Sequence, residues 1–226
     1  MKRSWLNSFA KCLLLTTVII GVSCTNNPLH RSPSDARPAN TSVVNEPGPK
    51  VTLFTLQVPA SKVVYIIDNN GSLLDDFDFI KLELKRSVQS LQSGQSFAVI
   101  FFNEFESAAN ILGPSHLQPA TKEVCGKVAT RIDKIRVEGG DDDSPNAVKD
   151  AFRNAFAMQP DTIIFLTNSE TNGLLDLVRQ LDTAHVVHIH TVCMSPIADY
   201  QKEIQELART HHGIYKFLNE TDLNVH

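Results

Sequence analysis

The chain has 226 residues, 42% hydrophobic and 20% charged, which is enough apolar material for one sizeable buried core. Its 25 acidic residues outnumber the 21 Lys and Arg, giving a net charge of −4. With no basic stripe, that balance argues against a protein held to nucleic acid by phosphate contacts.

The first 23 residues read as a targeting segment. Lys2, Arg3 and Lys11 give a positive start, and the apolar run Cys12 to Val22 suits a signal peptide but is short for a membrane span. The run ends in Ile20-Gly-Val-Ser-Cys24, which resembles the lipobox of bacterial lipoproteins, with Gly21 where that family usually has Leu. The resemblance implies acylation of Cys24 and a chain anchored to, not spanning, a membrane of the cell envelope. Thr25 in place of Asp, by resemblance to Gram-negative lipoproteins, points to the outer membrane or the periplasmic face. The plainer alternative is an ordinary cleaved signal in which Cys24 is incidental. Without residues 1–23 the chain holds 18 basic and 25 acidic residues, a net of −7.

Residues 24–50 read as an extended, disordered tether, with Pro28, Pro33, Pro38, Pro47 and Pro49 among small polar residues. From Val51 to the end, residues 51–226, the texture is globular. Val63–Ile67 is a continuous apolar run, as in a strand buried on both faces. Phe77, Ile80, Leu84, Val88 and Leu91 then mark a helix over Asp76–Gln92. Phe97–Phe102 is a second buried strand and Ala108–Leu112 a weaker edge. A helix over Thr121–Ile135 carries Val124, Val128, Ile132 and Ile135. The next starts with Ser144 as cap and Pro145 in the first turn, and runs to Met158. A strand over Thr162–Thr167, a helix over Leu174–Leu181 and a strand over Val186–Cys193 follow. Ser195-Pro196 opens the last helix, Gly213 closes it, and Ile214–Leu218 is a final strand. Cys125 falls on a helix and Cys193 at a strand end, and two buried free thiols are expected. Alternation of strand and helix predicts a three-layer α/β domain with a mainly parallel sheet.

Ligands of such sheets bind at the carboxyl ends of the strands. The loops there read Asp68-Asn-Asn-Gly-Ser72, Gly139-Gly-Asp-Asp-Asp-Ser-Pro-Asn146 and Thr167-Asn-Ser169. With the strands and helix around them, these loops resemble the von Willebrand factor A domain across residues 51–220. That family binds protein partners, often through a divalent cation at a metal-ion-dependent adhesion site. Its pattern is Asp-x-Ser-x-Ser, a Thr and an Asp. Carried over, the resemblance keeps Asp68 and Ser72, puts Asn70 for the first Ser and Asn168 for the last Asp, and makes Asn146 the counterpart of the Thr. Asp141, Asp142 and Asp143 are nearby carboxylates that could substitute. An amide in place of a carboxylate gives up about 8 kcal/mol of attraction to a divalent ion at ~4 Å, before desolvation offsets it. The expectation is a degenerate site, for Mg²⁺ or another divalent cation, with the balance on none.

Three functions stay open at this point. The first is a non-enzymatic domain that recognises a protein or peptide at Asp68–Ser72, Asp141–Asn146 and Asn168–Gly173. The second is a phosphatase, since Asp68-Asn-Asn-Gly-Ser-Leu-Leu also resembles the haloacid-dehalogenase motif, with Asp68 as nucleophile and Thr167 holding phosphate. Asn70 stands there in place of the required acid, and the acidic motif precedes Thr167 instead of following it. The third is a structural envelope domain without a ligand. His188 and His190, two apart on a strand, share a face and could meet a metal, although a plain histidine pair is the simpler expectation. His211-His212 reads as a helix end suited to positive charge.

Overall fold

A computed structural model describes residues 48–103, 108–137 and 146–219. The signal segment, Cys24, most of the tether, Asp141, Asp142, Asp143 and the Ser144-Pro145 start signal lie outside the described residues.

The described chain opens with a hairpin that periodicity does not announce. Strands β1 (Lys50–Leu53) and β2 (Leu56–Pro59) pair antiparallel, Leu53 opposite Leu56, so that Phe54 and Thr55 make the turn. Phe54 sits at φ +53°, a left-handed conformation costly for a bulky residue. Its ring packs on Phe79, centroids 5.6 Å apart, which offsets that strain. β1 begins at Lys50, the last residue expected of the tether.

The main sheet uses β3 (Lys62–Asp68), β4 (Ser96–Phe102), β5 (Asn110–Ile111), β6 (Gln118–Pro119), β7 (Thr162–Thr167), β8 (His188–Cys193) and β9 (Tyr215–Phe217). Their order is β5-β4-β3-β7-β8-β9, with β6 also on β4. β4, β3, β7, β8 and β9 run parallel, whereas β5 and β6 are two-residue antiparallel additions to β4. The runs Val63–Ile67 and Ile163–Leu166 are fully buried because both sheet faces are covered.

One face carries α1 (Phe77–Ser90), α2 (Lys122–Ile132) and the hairpin, packed on Tyr65, Ile67, Phe101, Leu166 and Val192. The opposite face carries α3 (Asn146–Ala157), α4 (Leu174–Leu181) and α5 (Ala198–Thr210), packed on Val64, Ile66, Ile163, Phe165 and Ile189. Thr121 caps α2 by accepting from the Val124 N–H at 3.2 Å. Cys125 and Cys193 are buried free thiols, one in each of the two cores, so the sheet stands between them.

Candidate functional site

The parallel order brings the carboxyl ends of β3 and β7 side by side, since the two strands are neighbours in register, Ile67 opposite Leu166. Asp68, the last residue of β3, is fully buried there. A carboxylate without water must find its donors in the protein. Asp68 finds them in its own loop and in the loop after β7. Its Oδ1 accepts from the Asn70 N–H at 2.9 Å. Its Oδ2 accepts from the hydroxyls of Thr167 and Ser169, both at 2.7 Å, and more weakly from the Asn168 N–H at 3.4 Å.

The amide of Asn70 closes the next layer. Its Oδ1 accepts from the Gly71 N–H at 2.8 Å, capping the short 3₁₀ turn Gly71–Leu73. That fixes which way the amide faces, and its Nδ2 donates to Ser169 Oγ at 3.1 Å. The sequence expectation used Asn70 as an oxygen for a cation, but the fold aims its N–H groups inward. Ser72 is exposed and donates to Asn168 Oδ1 at 3.1 Å, bridging the two loops at the surface. Four of the five residues singled out from the sequence, Asp68, Asn70, Ser72 and Asn168, thus meet in one network with Thr167 and Ser169. Asn146 opens α3, exposed, and contributes no bond to this set.

Ser169 was not singled out as a site residue, yet it touches Asp68, Asn70 and, through its N–H, Thr167 Oγ1 at 2.9 Å. Hydroxyls two apart at the end of a strand facing an acidic strand end were the available signal. Met194 N–H donates to Thr167 O at 3.0 Å, which joins the loop after β8 to the same face. Two exposed apolar side chains stand on these loops, Leu74 at 66% and Ile197 at 49% exposure.

Taken among the described residues, the donor set around Asp68 does not by itself suit a tightly held divalent cation. Such an ion needs about six oxygens and gains most from carboxylates. Among the described residues the network supplies one carboxylate, with each oxygen already hydrogen-bonded, and turns an amide N–H where an oxygen would be needed. Asn69 Oδ1 and Thr171 Oγ1 are buried in these loops without a hydrogen-bond partner among the described residues, but both are neutral. Elsewhere among the described residues, no three His, Cys, Asp or Glu side chains are grouped as metal ligands.

The histidines are arranged otherwise than a ligand pair. The rings of His188 and His190 stack at 13°, centroids 6.4 Å apart. His190 is buried and its Nδ1 accepts from the Ile214 N–H at 3.0 Å, so the neutral ring carries its proton on Nε2 and offers no lone pair. Burial, with His188 beside it, pushes the His190 pKa down to about 4. His211 does not serve as a surface cation at the end of α5. It is fully buried, 3.3 Å from Asp182 Oδ2, and burial pushes its pKa down against the pull of that carboxylate.

No family model matches the chain, and no curated protein matches it by sequence. Solved structures do match in shape. The SpRpn10 VWA domain superposes with a TM-score of 0.51 at 11% identity, covering 71% of this chain and 88% of that one. The human COPII-coat protein Sec24c gives a TM-score of 0.52 at 9% identity, over 71% of this chain and 30% of the much longer Sec24c chain. Strand order, parallel register and these superpositions agree: the domain is α/β with a fold like that of von Willebrand factor A domains.

Proposed function

We propose that the domain is a non-enzymatic recognition module that binds a protein or peptide at the loops after β3, β7 and β8. The observation that carries this reading is the burial of Asp68 with both oxygens occupied. A nucleophilic carboxylate needs an oxygen free to attack, and Thr167, which the phosphatase reading gives to phosphate, donates to Asp68 instead. The same bonds tie two loops into one preorganised surface, and rigid loops lose little entropy on binding. That surface mixes the exposed hydroxyl of Ser72 with the exposed Leu74 and Ile197, the mixture of polar rim and apolar contact that protein interfaces use. A coat protein among the similar structures fits a role in association. In this reading the degenerate site works without an obligatory cation, and acylation of Cys24 holds the domain at the envelope membrane.

A photo-crosslinking amino acid at Ser72 tests the reading in cells, with Lys127 on α2 as the control position. An adduct to one protein from position 72 and none from 127 is expected. Adducts from 127 alone would refute the docking face. Turnover of p-nitrophenyl phosphate that Asp68→Ala abolishes would establish the phosphatase instead. Cys24→Ala is expected to release the protein from membranes, and retention there would refute the anchor.

A further inference from the structure

A second site is built into the helical face where the covering changes from helix to hairpin. Between the β1–β2 turn, α1 and the end of β9 lies a cavity of about 460 Å³, within the range of small-molecule sites. It shares no residue with the Asp68 network. One stripe of α1 supplies its floor, with Phe79, Glu83, Arg86, Ser87 and Ser90 at helical spacing. Phe54 and Phe79 form an aromatic wall, and Leu218 adds an aliphatic one.

Three charged groups line the cavity, and their balance is positive. Glu83 is nearly buried and is ion-paired by Arg86, whose side chain remains 53% exposed. One guanidinium nitrogen serves that pair, and the remaining N–H groups are left for a ligand. Lys216 donates to Thr55 Oγ1, which uses one of its three donors. The strained backbone of Phe54 holds an aromatic ring at this cavity, and such outliers cluster where a ligand is clamped.

We propose that this cavity binds a small amphipathic monocarboxylate, its apolar or aromatic body against Phe54, Phe79 and Leu218 and its carboxylate between Arg86 and Lys216. Uncharged and cationic analogues of the same shape lose the charge-assisted bonds and bind more weakly.

The test is calorimetric titration of the full chain with 4-phenylbutyrate, 4-phenylbutan-1-ol and 4-phenylbutylammonium. One-to-one binding of the carboxylate, at least tenfold tighter than the alcohol and with no saturable binding of the ammonium, is expected. Lys216→Met should weaken the carboxylate about tenfold and leave the alcohol unchanged. Ser90→Phe, at an exposed helix position on the cavity floor, should abolish binding of both while thermal melting stays near that of the parent protein. Equal affinities for carboxylate and alcohol, or carboxylate binding that survives Ser90→Phe, would overturn the proposal, as would the absence of saturable binding up to millimolar carboxylate.

Discussion

Replacing Asp68 by Asn changes almost no volume, so its effect on stability isolates the carboxylate. Among the described residues three good donors converge on Asp68, the Asn70 N–H and the Thr167 and Ser169 hydroxyls. An amide has one oxygen and one NH₂ group. If its oxygen takes the two hydroxyls, its NH₂ faces the Asn70 N–H, and that buried donor loses its acceptor. The opposite orientation sets the NH₂ against two hydroxyls. An orphaned buried donor costs about 1–3 kcal/mol, and two bonds that lose their charge assistance each give up roughly 1 kcal/mol. Relief of carboxylate desolvation returns part of this. The net loss is then about 2–4 kcal/mol, read as a lower urea midpoint with unchanged slope, or as roughly 5–15 °C in Tm. The measurement belongs in EDTA, because the sign is what matters. A carboxylate kept unneutralised for an absent cation would be a stability cost, and its removal would stabilise the protein. An Asp68→Asn variant as stable as the parent in EDTA would therefore refute the self-satisfied network.

Acid should weaken the domain before its carboxylates titrate. The unfolded His190 imidazole takes up a proton near pH 6.5, while the folded one, pushed down to about 4 by burial, resists. The unfolded state thus binds more protons between those values, and stability present above pH 6.5 is lost as pH falls, on the order of 3 kcal/mol from this site by pH 4. Urea midpoints from pH 7.5 to 4.5 should show this slope, and His190→Asn, whose oxygen can still accept from the Ile214 N–H, should flatten it; an unaltered slope would exclude His190. Two glycines should respond in opposite directions. A Cβ on Gly213 would lie 1.7 Å from the Ile189 carbonyl oxygen, so Gly213→Ala should cost more than 4 kcal/mol or prevent folding. Gly126, exposed inside α2 with open space around it, should gain about 0.5–1 kcal/mol on change to Ala, measured by the same denaturation. Cys125 and Cys193 should resist thiol reagents until the protein unfolds, and should stay unpaired under oxidation, because they lie in cores on opposite sides of the sheet. A disulfide found between them by peptide mapping of folded protein would contradict the sheet order.

What the chain declares openly is whatever a single stretch of residues decides alone. Val63–Ile67 and Thr162–Thr167 are apolar on both faces and β-branched, and they are strands as read. Leu174–Leu181 is a helix over the expected span. The hairpin was illegible because its turn is Phe54-Thr55, with no Gly or Asn to signal a left-handed residue. A packing contact with Phe79, 25 positions away, holds that conformation instead. β6 is illegible for a related reason, being two residues long with a proline and defined by its pairing with the edge of β4.

The site divides along the same line. That the loops after β3 and β7 lie at strand ends follows from the alternation of elements, and Asp68, Ser72 and Asn168 stood in the pattern by position. What each side chain does there is set by its neighbours. By resemblance Asn70 stands where the family has the first Ser of its cation site. In the fold its oxygen is spent on the Gly71 N–H, and it brings N–H donors to a place where a cation would have brought charge. Ser169 completes the exchange by giving its proton to Asp68 while accepting from Asn70. A buried carboxylate must be satisfied by something, and here two loops supply hydrogen-bond donors to it. The Asn70 N–H and the Thr167 and Ser169 hydroxyls supply those donors, and by doing so they fix the two loops to each other.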